Sequence, residues 1–476
     1  MKIIKLIFLC LTFALLTCVV LTGCRTNSSI MKSNPEREGI LRVIIATPLS
    51  DRANERFDQL EFLRSKYFSE FQRSFPKVKI EFIPYFGQAS ELGSFAKTLV
   101  IPADLILMNK LGFESLIFEN QLIDLNTNIK NDDFDIENLT NAMVNPIKEI
   151  GSGQLFALSP QFSVDVMVYN KQLLDNLGLE YPRDRTTWED WIRFSKRIPH
   201  QNGIIAGISI GNGGRFDSLR YYSSQADLQI FDMETFTMSV DSEDWINAWD
   251  KFVQWDHENV FPKIGADYPS APYALEPIMG RRVAASTMNL EQLVNLMDAN
   301  QRPEQFKENP NYDPYVPIDW DIVSMPVISS ETDRGSEIIF EGLMGVSTRS
   351  AQSDLAWEVI KYVNSAEWAQ IHSQNIRWVL SRKDQMDRNL WMNKNIDAFY
   401  AITPSSVNYK EHYEQMDKDF RYIDLLGTAD ELMNESLAGR ITGEKAMKIW
   451  SEKGNFILKS MKENPTPVKS PYSSAW

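Results

Sequence analysis

Apolar positions along the chain follow two periods, one of about two residues and one of about 3.6. Leu41-Arg42-Val43-Ile44-Ile45-Ala46 is a β-branched run that predicts a strand, ended by the polar stretch Thr47 to Asp51. Phe57, Leu60, Leu63, Tyr67, Phe68 and Phe71 then recur at helical spacing. Val78 to Phe82 predicts a second strand, closed by Pro84, and Ala103 to Met108 a third. This strand–helix–strand alternation predicts an α/β layer with a mostly parallel sheet. Further strands are expected at Val164–Tyr169 and Ile204–Ile210, and the stretch from Leu355 to Lys459 reads as dominantly helical. Trp245, Trp249 and Phe252 fall at i, i+4, i+7, and Trp188 and Trp191 at i, i+3, the spacing of stripes that face a core.

The N-terminus has a different pattern. Lys2 and Lys5 precede an apolar run from Ile7 to Leu21, which ends in Leu21-Thr22-Gly23-Cys24. A run of about 15 residues is short for a membrane-spanning helix, which needs about 20. It reads as an export signal over 1–23, and its Leu-Thr-Gly-Cys box resembles a bacterial lipoprotein signal, which implies cleavage before Cys24 and a lipid on the Cys24 thiol. Residues 24–39 are polar and lack periodicity, as expected of a flexible tether. The three cysteines, Cys10, Cys18 and Cys24, all lie in this region. A processed chain would therefore hold no free thiol, which removes thiol catalysis, zinc–cysteine sites and disulfides together.

Composition narrows the function classes. The 476 residues are 43% hydrophobic and 24% charged, values of an ordinary folded protein of two or three domains. A net charge of −15 repels phosphate backbones, so nucleic acid is not an expected partner. Gly207-Ile208-Ser209-Ile210-Gly211 matches G-x-S-x-G, but Ser209 lies inside an apolar run rather than on a sharp strand-to-helix turn. Gly211-Asn212-Gly213-Gly214 reads as a tight loop able to present Asn212. His200, His257, His372 and His412 stand apart, without metal-ligand spacing. Asn131 to Asp135 lacks the glycine and glutamate of a calcium loop and reads as a solvated acidic turn. No catalytic constellation, metal or cofactor is expected.

Several segments, taken in order, carry a family resemblance. They are Ser159 to Lys171 with its Tyr169-Asn170-Lys171, then Pro182 and Thr187-Trp188 with Trp191. Asp104 to Met108 runs on to Gln121-Leu122-Ile123-Asp124-Leu125, and Glu341 to Ser347 to Ala356-Trp357. Gly439-Arg440-Ile441-Thr442 with Glu444 and Ala446 closes the series. Over roughly residues 40–450 the chain resembles the extracellular solute-binding proteins of family 1, the maltose-binding-protein-like lipoproteins of ABC importers. It departs from them where Asn289 and Leu290 stand at a common site for a stacking tryptophan.

The resemblance implies a two-lobed, periplasmic-binding-protein-like α/β fold of type II, with a hinge and a cleft between the lobes. One lobe would comprise 40–161 plus 340–383, the other 162–339 plus 384–476. The expected partners are a small solute, foremost an oligosaccharide, the permease subunits of an importer, and the membrane through the lipid anchor alone. The expected state is a monomer on the extracellular face of a cell membrane, of Gram-positive type by preference. Loops after strands are the expected ligand contacts: Thr47, Tyr85, Phe86, Met108, Asn109, Phe162, Ser163, Asp165, Asn212, Arg215, Asn289, Glu341, Gly342 and Trp378. Aromatic rings there would stack on sugar faces and polar groups would bond hydroxyls. A non-sugar solute such as a peptide or polyamine, and an exported hydrolase using Ser209, are the alternatives.

Overall fold

The computed structural model describes residues 34–46, 53–200, 204, 206–211, 215–232, 235–262, 282–306, 315–331, 334–335, 338–404, 419–464, 466 and 468. Its principal strands are β1 Gly39–Ala46, β2 Val78–Pro84, β3 Leu105–Met108, β4 Gln161–Ser163, β5 Val166–Asn170 and β6 Ile208–Ser209. They continue with β7 Ala285–Met288, β8 Trp320–Ser324, β9 Ile339–Glu341, β10 Leu343–Val346 and β11 Val379–Leu380.

Three sheets organise these strands. The first has the order β10-β3-β1-β2, the second β8-β5-β7-β6, and a short third sheet β9-β4-β11. In the first, β1 runs parallel to both β2 and β3, and β10 returns antiparallel with Leu343 opposite Met108. In the second, β6 is parallel to β7 while β5 is antiparallel to β7 and β8, pairing Val166 with Met288 and Ser324. The α/β, periplasmic-binding-protein-like class expected from the sequence is the class observed.

Burial explains the two sheets differently. In β1, Leu41 and Val43 to Ile45 are all fully buried, the continuous apolar run of a parallel strand covered on both faces. In β5, alternate residues part company. Val166 and Val168 join the core of the first sheet, which also takes in Ile322, Leu293 and Leu296. Met167 and Tyr169 join a second core with Trp188, Trp191, Trp245, Trp249, Trp255 and Trp450. The period of two in a strand makes that division. The tryptophan stripes predicted from spacing are core, as expected.

Family-like segments owe much of their pattern to helix ends. Asn170, Thr187, Ser365 and Thr442 each accept a hydrogen bond from a first-turn backbone N–H of the helix that follows. Each such cap is worth about 1 kcal/mol.

Three local readings are corrected. The periodic stretch 57–71 is not one regular helix: Ala53–Leu63 runs into a wide π turn, Arg64–Phe68, before Ser69–Ser74. The C-terminal third is helical over Ser353–Val363, Ala366–His372, Phe420–Leu437 and Gly443–Glu463, but β11 interrupts it. The acidic turn at 131–135 is not simply solvated: Asp132 Oδ2 accepts from Trp357 Nε1 at 3.0 Å and Lys361 Nζ at 2.6 Å, and Asp135 Oδ2 from Arg382 Nη1 at 3.2 Å.

Candidate ligand-binding site

Strand ends place most of the nominated residues. On the first sheet, Tyr85 and Phe86 follow β2, Asn109 follows β3, and Gly342 precedes β10, whose Leu343 lies opposite Met108. All four positions therefore lie at one edge. Thr47, just after β1, lies outside the described residues, as do Asn212 and Cys24. On the second sheet, Asp165 precedes β5, Asn289 follows β7 and Arg215 opens the helix Arg215–Gln225 after β6. Both groups fall at the carboxyl ends of parallel strands, where open α/β sheets bind ligands.

Several of these side chains already have work inside the fold. Asn109 Oδ1 accepts from Gly112 N at 2.8 Å and caps the helix Lys110–Phe118. Asn289 forms a reciprocal capping box with Gln292, at 2.9 and 2.8 Å. The Arg215 guanidinium is buried, donates from Nε to Asp256 Oδ1 at 2.8 Å and from Nη2 to Pro262 O at 3.0 Å, and lies 4.3 Å from the Phe261 ring centre. Met108 is buried. Tyr85 donates to Gln88 O at 2.7 Å and packs on Phe95, leaving Phe86 51% exposed beside it.

The third sheet joins the remaining candidates. Gln161 stands opposite Glu341 and Leu380, Phe162 opposite Phe340 and Val379, and Ser163 opposite Ile339. Side chains directly opposite share a face, and neighbours along a strand do not. Gln161, Ser163 and Glu341 thus share one face, and Trp378, one residue before Val379, falls on it by the same alternation. Phe162 points the other way: it is fully buried, edge-to-face with Tyr400 at 5.8 Å. The expectation that Phe162 and Ser163 both reach a ligand meets the period of two, which allows only one of them on this face.

Against that face lies the π turn. Lys66 Nζ is 3.7 Å from Glu341 Oε1, and sits 4.6 Å from the Trp378 ring centre and 4.9 Å from that of Tyr67. The Lys66 side chain is only 5% exposed, against 26% for Glu341, so the carboxylate is the outer half of the pair. Burial lowers Lys66 to a pKa of about 8, opposed by the Glu341 charge. Burial raises Glu341, opposed by Lys66. Behind them His372 stacks on Trp368 at 4.0 Å, and burial, followed by the Lys66 charge, pushes it down to about 4. Gly342 has φ +81°, and a Cβ there would stand 2.7 Å from Tyr67 Oη. A close approach and a left-handed backbone both require glycine.

Sequence reading missed Lys66, Tyr67 and Gln161. Tyr67 fitted a core stripe, Lys66 fitted the polar side of a regular helix, and Gln161 lay inside a family-like segment without a sign of which way it faced. The hydrolase alternative is overturned. Ser209 is buried within β6, not on a strand-to-helix turn, and His257 Nε2 is bonded to Leu437 O at 2.9 Å. Among the described residues no acid, His or Cys cluster could hold a metal, and no helix is long and apolar enough to cross a membrane.

Known proteins fit this architecture. The sugar-binding protein MalE from Xanthomonas citri superposes with a TM-score of 0.60 at 13% identity, over 89% of this chain and 98% of that one. The cyclic α-maltosyl-1,6-maltose binding protein from Arthrobacter globiformis gives 0.56 at 14%, over 89% and 100%. An ABC substrate-binding protein from Listeria monocytogenes, solved with cycloalternan, gives 0.51 at 17%, over 90% and 100%. At such identities the likeness is one of fold. The sequence profile of the bacterial extracellular solute-binding proteins, a family of binders rather than enzymes, matches residues 61–370, well over half of the 476. The chain belongs to that family of bacterial extracellular solute-binding proteins.

Proposed function

We propose that the protein is the lipid-anchored, carbohydrate-capturing component of an ABC importer, held to the outer face of a cell membrane through Cys24. Its lobes, 40–161 plus 340–383 and 162–339 plus 384–476, close on an oligosaccharide by bending where β4, β9 and β11 cross between them, and the closed form docks on the permease. The observation that carries the sugar reading is the shared face of the third sheet. A half-buried indole, Trp378, stands there beside a carboxylate, Glu341, and a hydroxyl, Ser163. That pairing of an apolar plate with hydroxyl partners suits a pyranose ring.

In this reading Tyr85, Phe86, Ser163, Asp165, Glu341, Gly342 and Trp378 contact the solute, joined by Thr47 and Asn212. Met108, Asn109, Arg215 and Asn289 shape the rim through their buried or capping roles. The carbohydrate named for the Arthrobacter relative, and the cycloalternan bound in the Listeria one, support the class of ligand. Thermal unfolding of the soluble body, from about residue 30, against mono- and oligosaccharides, peptides and polyamines tests it. A sugar at about 100 times its Kd adds about 2.7 kcal/mol, a shift of several degrees. Intact sugar recovered afterwards completes the expected result. A shift with peptides or polyamines alone overturns the carbohydrate reading.

A further inference from the structure

Buried polar groups that make no hydrogen bond are few in native proteins, and they are rarely neighbours. Among the described residues, Lys66 Nζ, Tyr67 Oη and both amide atoms of Gln161 are such groups, and each belongs to a residue that neighbours Glu341 or Gly342. Lys66 and Tyr67 come from the π turn; Gln161 lies in β4, opposite Glu341 and on the same face. Lys66 Nζ lies 3.7 Å from Glu341 Oε1, an ion pair too long to be a hydrogen bond. Tyr67 Oη abuts residue 342, the next along the chain from Glu341. The Ser159 hydroxyl ties the two strands at this level, 2.8 Å from Gln161 O and 3.1 Å from Glu341 O.

Each orphaned group costs about 1–3 kcal/mol of desolvation, and a buried ammonium costs more. The π turn contributes to the arrangement: such wide turns within helices are frequently found at functional places. Trp368 Nε1 donates to the Lys66 carbonyl at 3.2 Å, anchoring the turn from behind. The chemistry of the set is specific. Lys66 only donates, ionised Glu341 only accepts, and Tyr67 and Gln161 do both. The two formal charges cancel, and the outer one is negative. A carboxylate or phosphate would meet Glu341 first. A hydroxyl, which donates one hydrogen bond and accepts two, matches the set.

We infer that Lys66, Tyr67 and Gln161, together with Glu341, form a hydroxyl-binding pit at the crossing of the strands, which takes the polar edge of an uncharged sugar while Trp378 covers its face. This rests on the carbohydrate reading and deepens it: the solute is a neutral polyol, with hydroxyls bonded at the hinge itself.

The test uses the soluble body, the sugar that gives the largest thermal shift, and the matching uronic acid and amino sugar. The variants are Tyr67→Phe, Gln161→Leu and Lys66→Met, each keeping about the volume while removing an orphaned group. Tyr67→Phe and Gln161→Leu are expected to weaken binding of the neutral sugar about three- to tenfold, and Lys66→Met about tenfold or more. Without ligand, Tyr67→Phe and Gln161→Leu keep or raise the unfolding temperature, because an orphaned group has been replaced by an apolar one, whereas Lys66→Met lowers it by leaving Glu341 without its ion-pair partner.

Unchanged affinity in Tyr67→Phe and Gln161→Leu would overturn the pit while leaving the protein a sugar binder. Loss of unliganded stability with affinity intact would also overturn it, showing that internal water satisfies these groups for structural ends. A wild type preferring the uronic acid or the amino sugar overturns the neutral-ligand class. A wild type that binds no sugar removes the carbohydrate reading and the pit together. Tight binding with normal discrimination in Lys66→Met removes the pit alone.

Discussion

β1 and β5 occupy the middle of their sheets, yet they are stabilised in different ways. β1 buries Val43, Ile44 and Ile45 on both sides in a single core that mixes aliphatic side chains with rings such as Phe68, Phe71, Phe113 and Trp368. β5 sends Val166 and Val168 into that same core and Met167 and Tyr169 into one built from tryptophans. The first sheet has eight- and seven-residue strands, β1 and β2, whereas β6 in the second has two. The helices on the tryptophan side pack through large rings: Trp450 meets Trp245 at 5.8 Å and Phe216 at 5.2 Å, and donates from Nε1 to Leu425 O at 2.9 Å.

The contrast has measurable edges. Trp450→Ala should cost about 3–5 kcal/mol through its cavity. Hydrogen exchange should accelerate in Glu243–His257 and Gly443–Glu463 while β1 and β3 stay protected; equal acceleration everywhere would mean that the two cores unfold as one. Asp256→Ala strands the buried Arg215 guanidinium and should cost about 3 kcal/mol, again on the tryptophan side. Denaturant unfolding reads it, and a loss below about 1 kcal/mol would show that Pro262 O and Phe261 suffice for the charge.

Gly342→Ala acts on the other side. A Cβ at φ +81° and 2.7 Å from Tyr67 Oη should cost about 1–3 kcal/mol. Its effect should appear in β10 and the π turn, not in the tryptophan helices. His372 gives the smallest effect. The unfolded chain takes up its proton near 6.5, but the folded ring stays neutral down to about 4. Protons in that window favour unfolding, so stability present above it is lost as pH falls through it. Half-exposed and screened, the group contributes about 1 kcal/mol. His372→Gln should flatten the corresponding fall in Tm, and an unchanged slope would assign acid sensitivity elsewhere.

How much of this was legible beforehand depended on the local signal. Thr187-Trp188 and Asn170-Lys171 declare helix starts because capping needs a short polar side chain at a fixed step from an amphipathic run. The Trp245–Trp249–Phe252 stripe declares its core for the same reason of period. β4 declares nothing, since three residues cannot display a period, and Phe162 and Ser163 were nominated together for one task. The π turn is also silent in sequence: it shifts the phase of an apparently regular helix, and so brings Lys66 from the polar side to the Trp378 ring. Asn109 and Asn289 looked like ligand groups because an asparagine after a strand serves a cap and a solute equally well.

The alternation in β4 and β9 has a consequence for how such a protein diversifies. Gln161, Ser163, Ile339 and Glu341 form one row, Phe162 and Phe340 the other. In the proposed pit, substitutions within the first row would retune what is recognised while the second row keeps the strands anchored. Deleting or inserting one residue in β4 would exchange the rows, turning Phe162 toward the pit and Gln161 into the apolar interior. Descendants of this chain can therefore explore new solutes by changing letters here, but not by changing length.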